Sequence, residues 1–353
     1  YNALLANNTC EGECVRGLPF RINNNRTFDT ELDVNSAYIM ARFDGLNLPG
    51  QLPIRGNIGV RHVKSDRSIS AFTISDLLVD GEQRSFATTD FTHTLPSFNL
   101  IWDARDDLMV RFAWYESMVR PNANAYRVDS SVDVDWIDEE ETIPEDVDIE
   151  LGNPDILPFT ADAWDVSVEW YNRKGSGITF AYFSKEVANG IEDRVLCPAN
   201  LTDLDQLDPY DFTGIITGGL TEVGGECQDQ AGVPVFIEDS INNAETFTID
   251  GWEVGILQNF DFLDGWMSGL GVRANYTRID TSEGPDFDSS GNRLPLENVS
   301  EDTYNLILYY EAERWGVRMA YNYRSEYFIE STGSFTGEDR FVGARDRLDM
   351  SAS

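Results

Sequence analysis

The side chains that could do chemistry are few in this chain of 353 residues: two histidines, four cysteines and a dense run of carboxylates. Nucleophilic catalysis needs a Ser or Cys beside a base, and His62 and His93 are the only imidazoles. His62 continues the alternation Ile58, Val60, His62, and His93 leads into the stretch LPSF at 95–98, so both are expected in strands. No GxSxG elbow, P-loop or HExxH is present, and Gly269 and Gly271 lack the third glycine and following helix of a dinucleotide site. Carboxylate pairs are too abundant to single out a glycosidase pair. The chain is therefore not expected to be an enzyme or to carry a cofactor.

Acids dominate the charge, 62 against 26 bases for a net of -36, which argues against nucleic acid as a partner because phosphate binding needs clustered Lys and Arg. Residues 129–150 hold Asp129, Asp133, Asp135, Asp138, Glu139, Glu140, Glu141, Glu145, Asp146, Asp148 and Glu150 without a base. A solvated loop is the expected form of such a run, with a divalent-cation site as the alternative, although no EF-hand spacing supports one and no metal site is assigned. Cys10, Cys14, Cys197 and Cys227 all fall in expected loops, and an even count there suggests disulfides and an oxidising compartment. Zinc at Cys10 and Cys14 is the weaker alternative, because no histidine lies nearby. Cys197 and Cys227 share one long connection, and a disulfide between them is expected.

Alternation organises the rest. In GVRMAYNYR, Val317, Met319, Tyr321 and Tyr323 fall on one side of an extended chain, and Arg318, Ala320, Asn322 and Arg324 on the other. Val110, Phe112 and Trp114 alternate in the same way with Arg111, Ala113 and Tyr115, and Val166, Val168 and Trp170 with Asp165, Ser167 and Glu169. The segments at 270–277 and 304–311 repeat the pattern. A barrel strand crosses a bilayer with about 9 to 11 residues, one face in lipid and the other on a polar lumen. Charges on the inward face would be costly in a dry sandwich core and cost little in a wet lumen. The expected fold is all-β: a transmembrane antiparallel β-barrel with strands near 29–44, 52–66, 88–103, 107–119, 160–172, 176–190, 244–262, 267–281, 301–313, 315–330 and 345–353.

Connection lengths assign the two sides. Short turns at 103–107, 172–176, 261–268 and 311–315 alternate with long connections near 120–160, 190–243, 281–300 and 330–344. Barrels of the outer membrane keep short turns in the periplasm and long loops outside, which puts the acid run, Cys197 and Cys227 outside. Ten or eleven strands alone leave two open edges that lipid does not tolerate, so further strands are expected. The start YNALLANNTC has no initiator Met, charged start or apolar stretch, and the chain is expected to be a piece of a longer polypeptide.

The stretches LPSFNLIWDARDDLMVRFAWYESMVRPN (95–122), GNPDILPFTADAWDVSVEWY (152–171), GWEVGILQNFDFLDGWMSGLGVRANYT (251–277) and YNLILYYEAERWGVRMAYNYRSEYF (304–328) together resemble the carboxy-terminal barrel of TonB-dependent outer-membrane receptors, notably the subgroup of Caulobacter- and Xanthomonas-like bacteria. The resemblance implies that residues 1–353 form part of a barrel of about 22 strands around a plug in the outer membrane of a Gram-negative bacterium. It also implies lipid around the wall and energy coupling to TonB, ExbB and ExbD through a plug and TonB box that are expected outside residues 1–353. The implied activity is import of a bulky nutrient bound at the exterior loops, an oligosaccharide first and a siderophore or other metal chelate as the alternative. Rival classes are a passive porin or adhesin and a secreted β-rich carbohydrate-binding protein. Tyr126, Arg127 and Trp136 in the acidic loop, with Tyr210 and Phe212 in the cysteine-containing loop, are the candidate ligand contacts, against the alternative that they pack within their own loops.

Overall fold

The computed structural model describes residues 26–48, 52–75, 77–137, 143–197, 199–224, 226–281, 294–330 and 340–353. Cys10 and Cys14, and the disulfide or zinc expected of them, lie outside these residues.

Strands form where the two-residue alternation runs, and each short turn returns the chain beside its predecessor. The result is one eleven-stranded sheet, every neighbouring pair antiparallel and every neighbour next in order along it. Its strands are Arg26–Leu48, Leu52–Ile74, Glu82–Arg105, Leu108–Val119, Phe159–Arg173, Ser176–Ala188, Phe247–Asn259, Leu270–Thr281, Asp302–Glu311, Gly316–Arg324 and Arg345–Ala352. All eleven expected strands are present. The first three run several residues longer than expected, and the strand expected over 315–330 stops at Arg324. Tyr327–Glu330 pairs instead with Arg340–Val342 in a separate ribbon. The expected short turn at 261–268 carries a single-turn 3-10 helix, Gly265–Gly269.

Register keeps the two faces separate across the sheet. Val110, Val168, Phe180, Val254, Tyr276, Tyr304 and Tyr323 stand opposite one another, pair by pair, in one apolar row. One residue along, Arg111, Ser167, Ala181, Glu253, Thr277, Thr303 and Arg324 form the neighbouring row on the other face. Val168, Phe180, Leu306 and Leu308 of the apolar face are exposed, Leu306 by 37%. So broad an apolar surface is a liability in water and is what a bilayer requires. Aromatic pairs mark both margins. Trp164–Tyr182, Trp252–Tyr276 and Tyr304–Tyr323, with ring centres 4.8 to 5.3 Å apart, lie toward the long connections. Tyr310–Trp315 at 4.9 Å lies at a short turn. Such girdles sit at the two interfaces, where an amphipathic ring is best solvated.

Above the wall, the long connections build a second sheet, in the order Ser131–Trp136, Pro144–Leu151, Val235–Asn242, Ile191–Val195. Val132, Val147, Ile149, Val235 and Ile237 are buried on one face against Leu78, Leu207, Tyr210, Ile215 and Leu220. This corrects the expectation of a solvated loop at Ser131–Trp136 and Pro144–Leu151, whereas Asp138, Glu139, Glu140 and Glu141 of the same run lie outside the described residues. Asp133, Asp135, Asp146, Asp148 and Glu150 alternate with Val132, Val134, Val147, Ile149 and Leu151, and the period of two makes strands of the run despite its charge.

The assignment of faces has a direct test. Leu306→Arg or Val168→Arg in the intact barrel should cost roughly 2 to 4 kcal/mol if near the bilayer midplane. Asn305→Ser or Ser167→Asn should be mild. Folding into liposomes measures both, and equal tolerance of the two sets would show that neither face meets lipid.

Candidate functional site

Three connections interlock into one cap at the long-loop end of the wall. Leu78 bridges to Tyr210, the Val79 amide donates to the Pro209 carbonyl at 2.9 Å, and the Asp211 amide donates to the Leu77 carbonyl at 2.7 Å. The Tyr210 hydroxyl donates to the Ser130 carbonyl at 2.8 Å, and the Gln206 amide donates to the Gly152 carbonyl at 2.9 Å. A disulfide joins Cys197 to Cys227, with Cα atoms 5.9 Å apart.

Arg67 ties the cap to the wall. It extends from the strand Leu52–Ile74 and is only 3% exposed. Its guanidinium donates to Thr89 Oγ1 at 3.0 Å, to the Ile156 carbonyl at 3.0 Å and to the Pro154 carbonyl, and lies 4.0 Å from the centre of the Tyr126 ring. A buried guanidinium with three of its N–H donors bonded and an aromatic face beside it is a stable arrangement, whereas loss of the cation would leave two carbonyls under-bonded.

Beside this anchor lies a polar recess of about 220 Å³, lined among others by Asn124, Arg127, Asp129, Glu150, Asn153 and Glu238. Arg127 meets Asp129 with both ends of its fork, at 3.0 and 2.7 Å, and Asp129 is 2% exposed. The paired geometry fixes the carboxylate and satisfies much of what burial would otherwise leave unbonded. Gly152 closes the recess where a Cβ would come within 2.4 Å of the Asp129 carbonyl oxygen and 2.7 Å of that of Arg127, so the backbones approach this closely only with glycine. The lining is built of hydrogen-bonding groups on an acid-rich background, suited to a polar ligand with several donors. Among the described residues, no group of three or more His, Cys, Asp or Glu is arranged to hold a metal ion.

The five candidate contacts divide. Arg127 lines the recess. Tyr126 and Tyr210, 7% and 6% exposed, are taken up by packing, the first under Arg67 and the second in the cap core. Phe212 lies 6.1 Å from the Tyr210 ring, and both Phe212 and Trp136 pack against that core. Sequence reasoning did not single out Asp129, Glu150, Asn153 or Glu238. The first two were hidden in the acid run, and Glu238 reaches the site only because its strand pairs in parallel with Pro144–Leu151, placing it opposite Glu150.

On the acidic face of the cap sheet, burial first, and then Asp146, Asp135, Asp133 and Glu150, raise the pKa of Asp148. A carboxyl whose folded pKa is raised favours the folded state below its unfolded value and opposes it as pH rises through the folded one. Asp148→Asn should therefore raise the melting temperature of the cap at neutral pH, with the gain over the parent shrinking as pH falls through the carboxylate range. A gain independent of pH would contradict this. The disulfide closes a sequence separation of 30 and should contribute about 3 to 4 kcal/mol to the cap through restriction of the unfolded chain. Non-reducing peptide mapping should recover the linked pair, and Cys197→Ser should loosen the cap as followed by amide exchange.

Comparison with known proteins gives the architecture a family. The family model described as TonB dependent receptor-like, beta-barrel matches residues 11–353. No curated protein sequence matches the chain. Among solved structures, the siderophore receptor PiuA from Acinetobacter baumannii is similar at 16% identity and a TM-score of 0.54, covering 92% of this chain and 37% of its own. The ferric yersiniabactin uptake receptor FyuA from Yersinia pestis is similar at 13% identity and 0.52, covering 93% and 39%. The siderophore receptor PirA from Acinetobacter baumannii is similar at 13% and 0.51, covering 91% and 48%. This chain thus spans less than half the length of each, and at such identities the likeness is one of fold. The family match and the two-faced wall together place the protein in the outer membrane of a Gram-negative bacterium, and the chain belongs to the TonB-dependent receptor β-barrel family, whose members are transporters rather than enzymes.

Proposed function

We propose that the intact protein is an outer-membrane receptor that binds a bulky nutrient under its cap and imports it with energy delivered by TonB, ExbB and ExbD through a plug. The observation that carries this reading is the pairing of a membrane wall with a folded, polar-lined cap fastened by Arg67.

A metal chelate is the better-supported cargo. The oligosaccharide expectation comes from the resemblance to a receptor subgroup, and the loop aromatics that would stack on sugar faces give it little support, because Tyr126 and Tyr210 are buried. Of the similar solved structures, PirA and PiuA are siderophore receptors and FyuA is a ferric yersiniabactin uptake receptor. In a chelate, the metal neutralises the oxyanion donors, so an acid-rich cap does not repel it as it would a free polyanion.

Whole cells test this with radiolabelled iron presented on a panel of chelators. Binding to the surface should survive deletion of TonB, because recognition is an equilibrium at the mouth, whereas uptake should be lost. Wild-type uptake without TonB would favour a passive porin, and uptake of labelled oligosaccharide but no iron chelate would reverse the choice of cargo.

A further inference from the structure

The outward, apolar face of the wall is not evenly filled. Just below the aromatic girdle on the side of the long connections, Ile178, Ile256, Leu306, Tyr321 and Leu348 share one row across the sheet, and between Ile256 and Leu306 that row drops to Ala274. The missing bulk leaves a notch of about 250 Å³, lined on this face by Val254, Ile256, Ala274, Tyr276, Tyr304 and Leu306.

The rings above it are fixed. The Tyr276 hydroxyl donates to Asp302 Oδ1 and its ring meets Trp252 edge-on, with centres 4.9 Å apart, while Tyr304 stacks on Tyr323 at 4.8 Å. Neither tyrosine is placed to fold down and close the gap.

No other part of the barrel covers the notch. The strands Phe247–Asn259, Leu270–Thr281 and Asp302–Glu311 are each paired along both edges, which leaves no room for a further strand, and the notch opens on the face turned away from the lumen, out of reach of a plug. What meets that face is membrane. An unfilled apolar notch forfeits dispersion contacts along its lining, and a flexible hydrocarbon chain recovers them. The girdle directly above marks the level of the lipid head groups, so the notch lies where the upper part of an acyl chain runs. Charge contributes little to recognition here. Arg278, two residues beyond Tyr276 on the same face, is met by Asp280 at 3.1 Å and by Asp302 at 3.4 Å, so its charge is already answered by carboxylates.

We propose that this notch is a binding site for one acyl chain of an outer-leaflet lipid, seated against Ala274 between Ile256 and Leu306 and recognised by shape rather than by head group. The site depends on the membrane-spanning wall alone and stands independently of the cargo and of energy coupling.

Native mass spectrometry of the full-length protein in detergent, after incubation with dipalmitoyl phosphatidylethanolamine or dipalmitoyl phosphatidylglycerol, tests the site. The wild type should hold one lipid more than A274L, in which leucine occupies the notch, and the two head groups should be held alike at low and high salt. A274G, which deepens the notch, should keep that lipid. A274V, which fills it in part, should lose most of it, and it keeps the comparison open should A274L fail to fold. Equal lipid retention in wild type, A274L and A274V would overturn the proposal. So would retention that follows head-group charge whatever stands at 274, or a dimer of the wild type that A274L abolishes, which would give the notch to a second copy of the chain.

Discussion

A backbone amide or carbonyl facing hydrocarbon finds no water, so each such group must be paired within the protein. The wall meets that demand by antiparallel pairing, strand to next strand, through all eleven members of the sheet. Its two edges, Arg26–Leu48 and Arg345–Ala352, are where closure by further strands is needed. Once the backbone is committed to that ladder, side-chain direction is fixed with a period of two. A slip of one residue would exchange the row of Val168, Phe180 and Val254 for that of Ser167, Ala181 and Glu253, so the difference between an apolar and a polar face holds the register.

The cap obeys a different solvent. It sits beyond the girdles and must build its own apolar core, which it does by folding acid-bearing strands with their valines and isoleucines inward. The disulfide and the interlocking of three connections compensate for the small size of that core, as cross-links do in small domains generally. Arg67 then couples the two units, because it donates both to a wall residue and to carbonyls of the cap-forming connection.

Charge follows the same two-faced rule. Carboxylates crowd the face of the cap sheet opposite its apolar core, and on the inward face of the wall Arg55 and Arg111 are held by Asp103 and Glu169.

What the sequence by itself determined is what depends on neighbours along the chain. The alternation in GVRMAYNYR, the turn DARDD and their repeats placed all eleven wall strands and both faces, and the shared connection of Cys197 and Cys227 placed their disulfide, because strand period and turn length are local properties. Only the tertiary structure decided the cap. Pro144–Leu151 pairs in parallel with Val235–Asn242 across two intervening wall strands, and no local pattern announces a contact between segments so far apart. That pairing brings Glu238 opposite Glu150 in the recess, and the packing around it buries Tyr210, which the sequence offered as a ligand contact. An aromatic ring in a long loop has the same sequence whether it meets a ligand or its own loop, and burial of apolar area against a distant strand is what settles the choice.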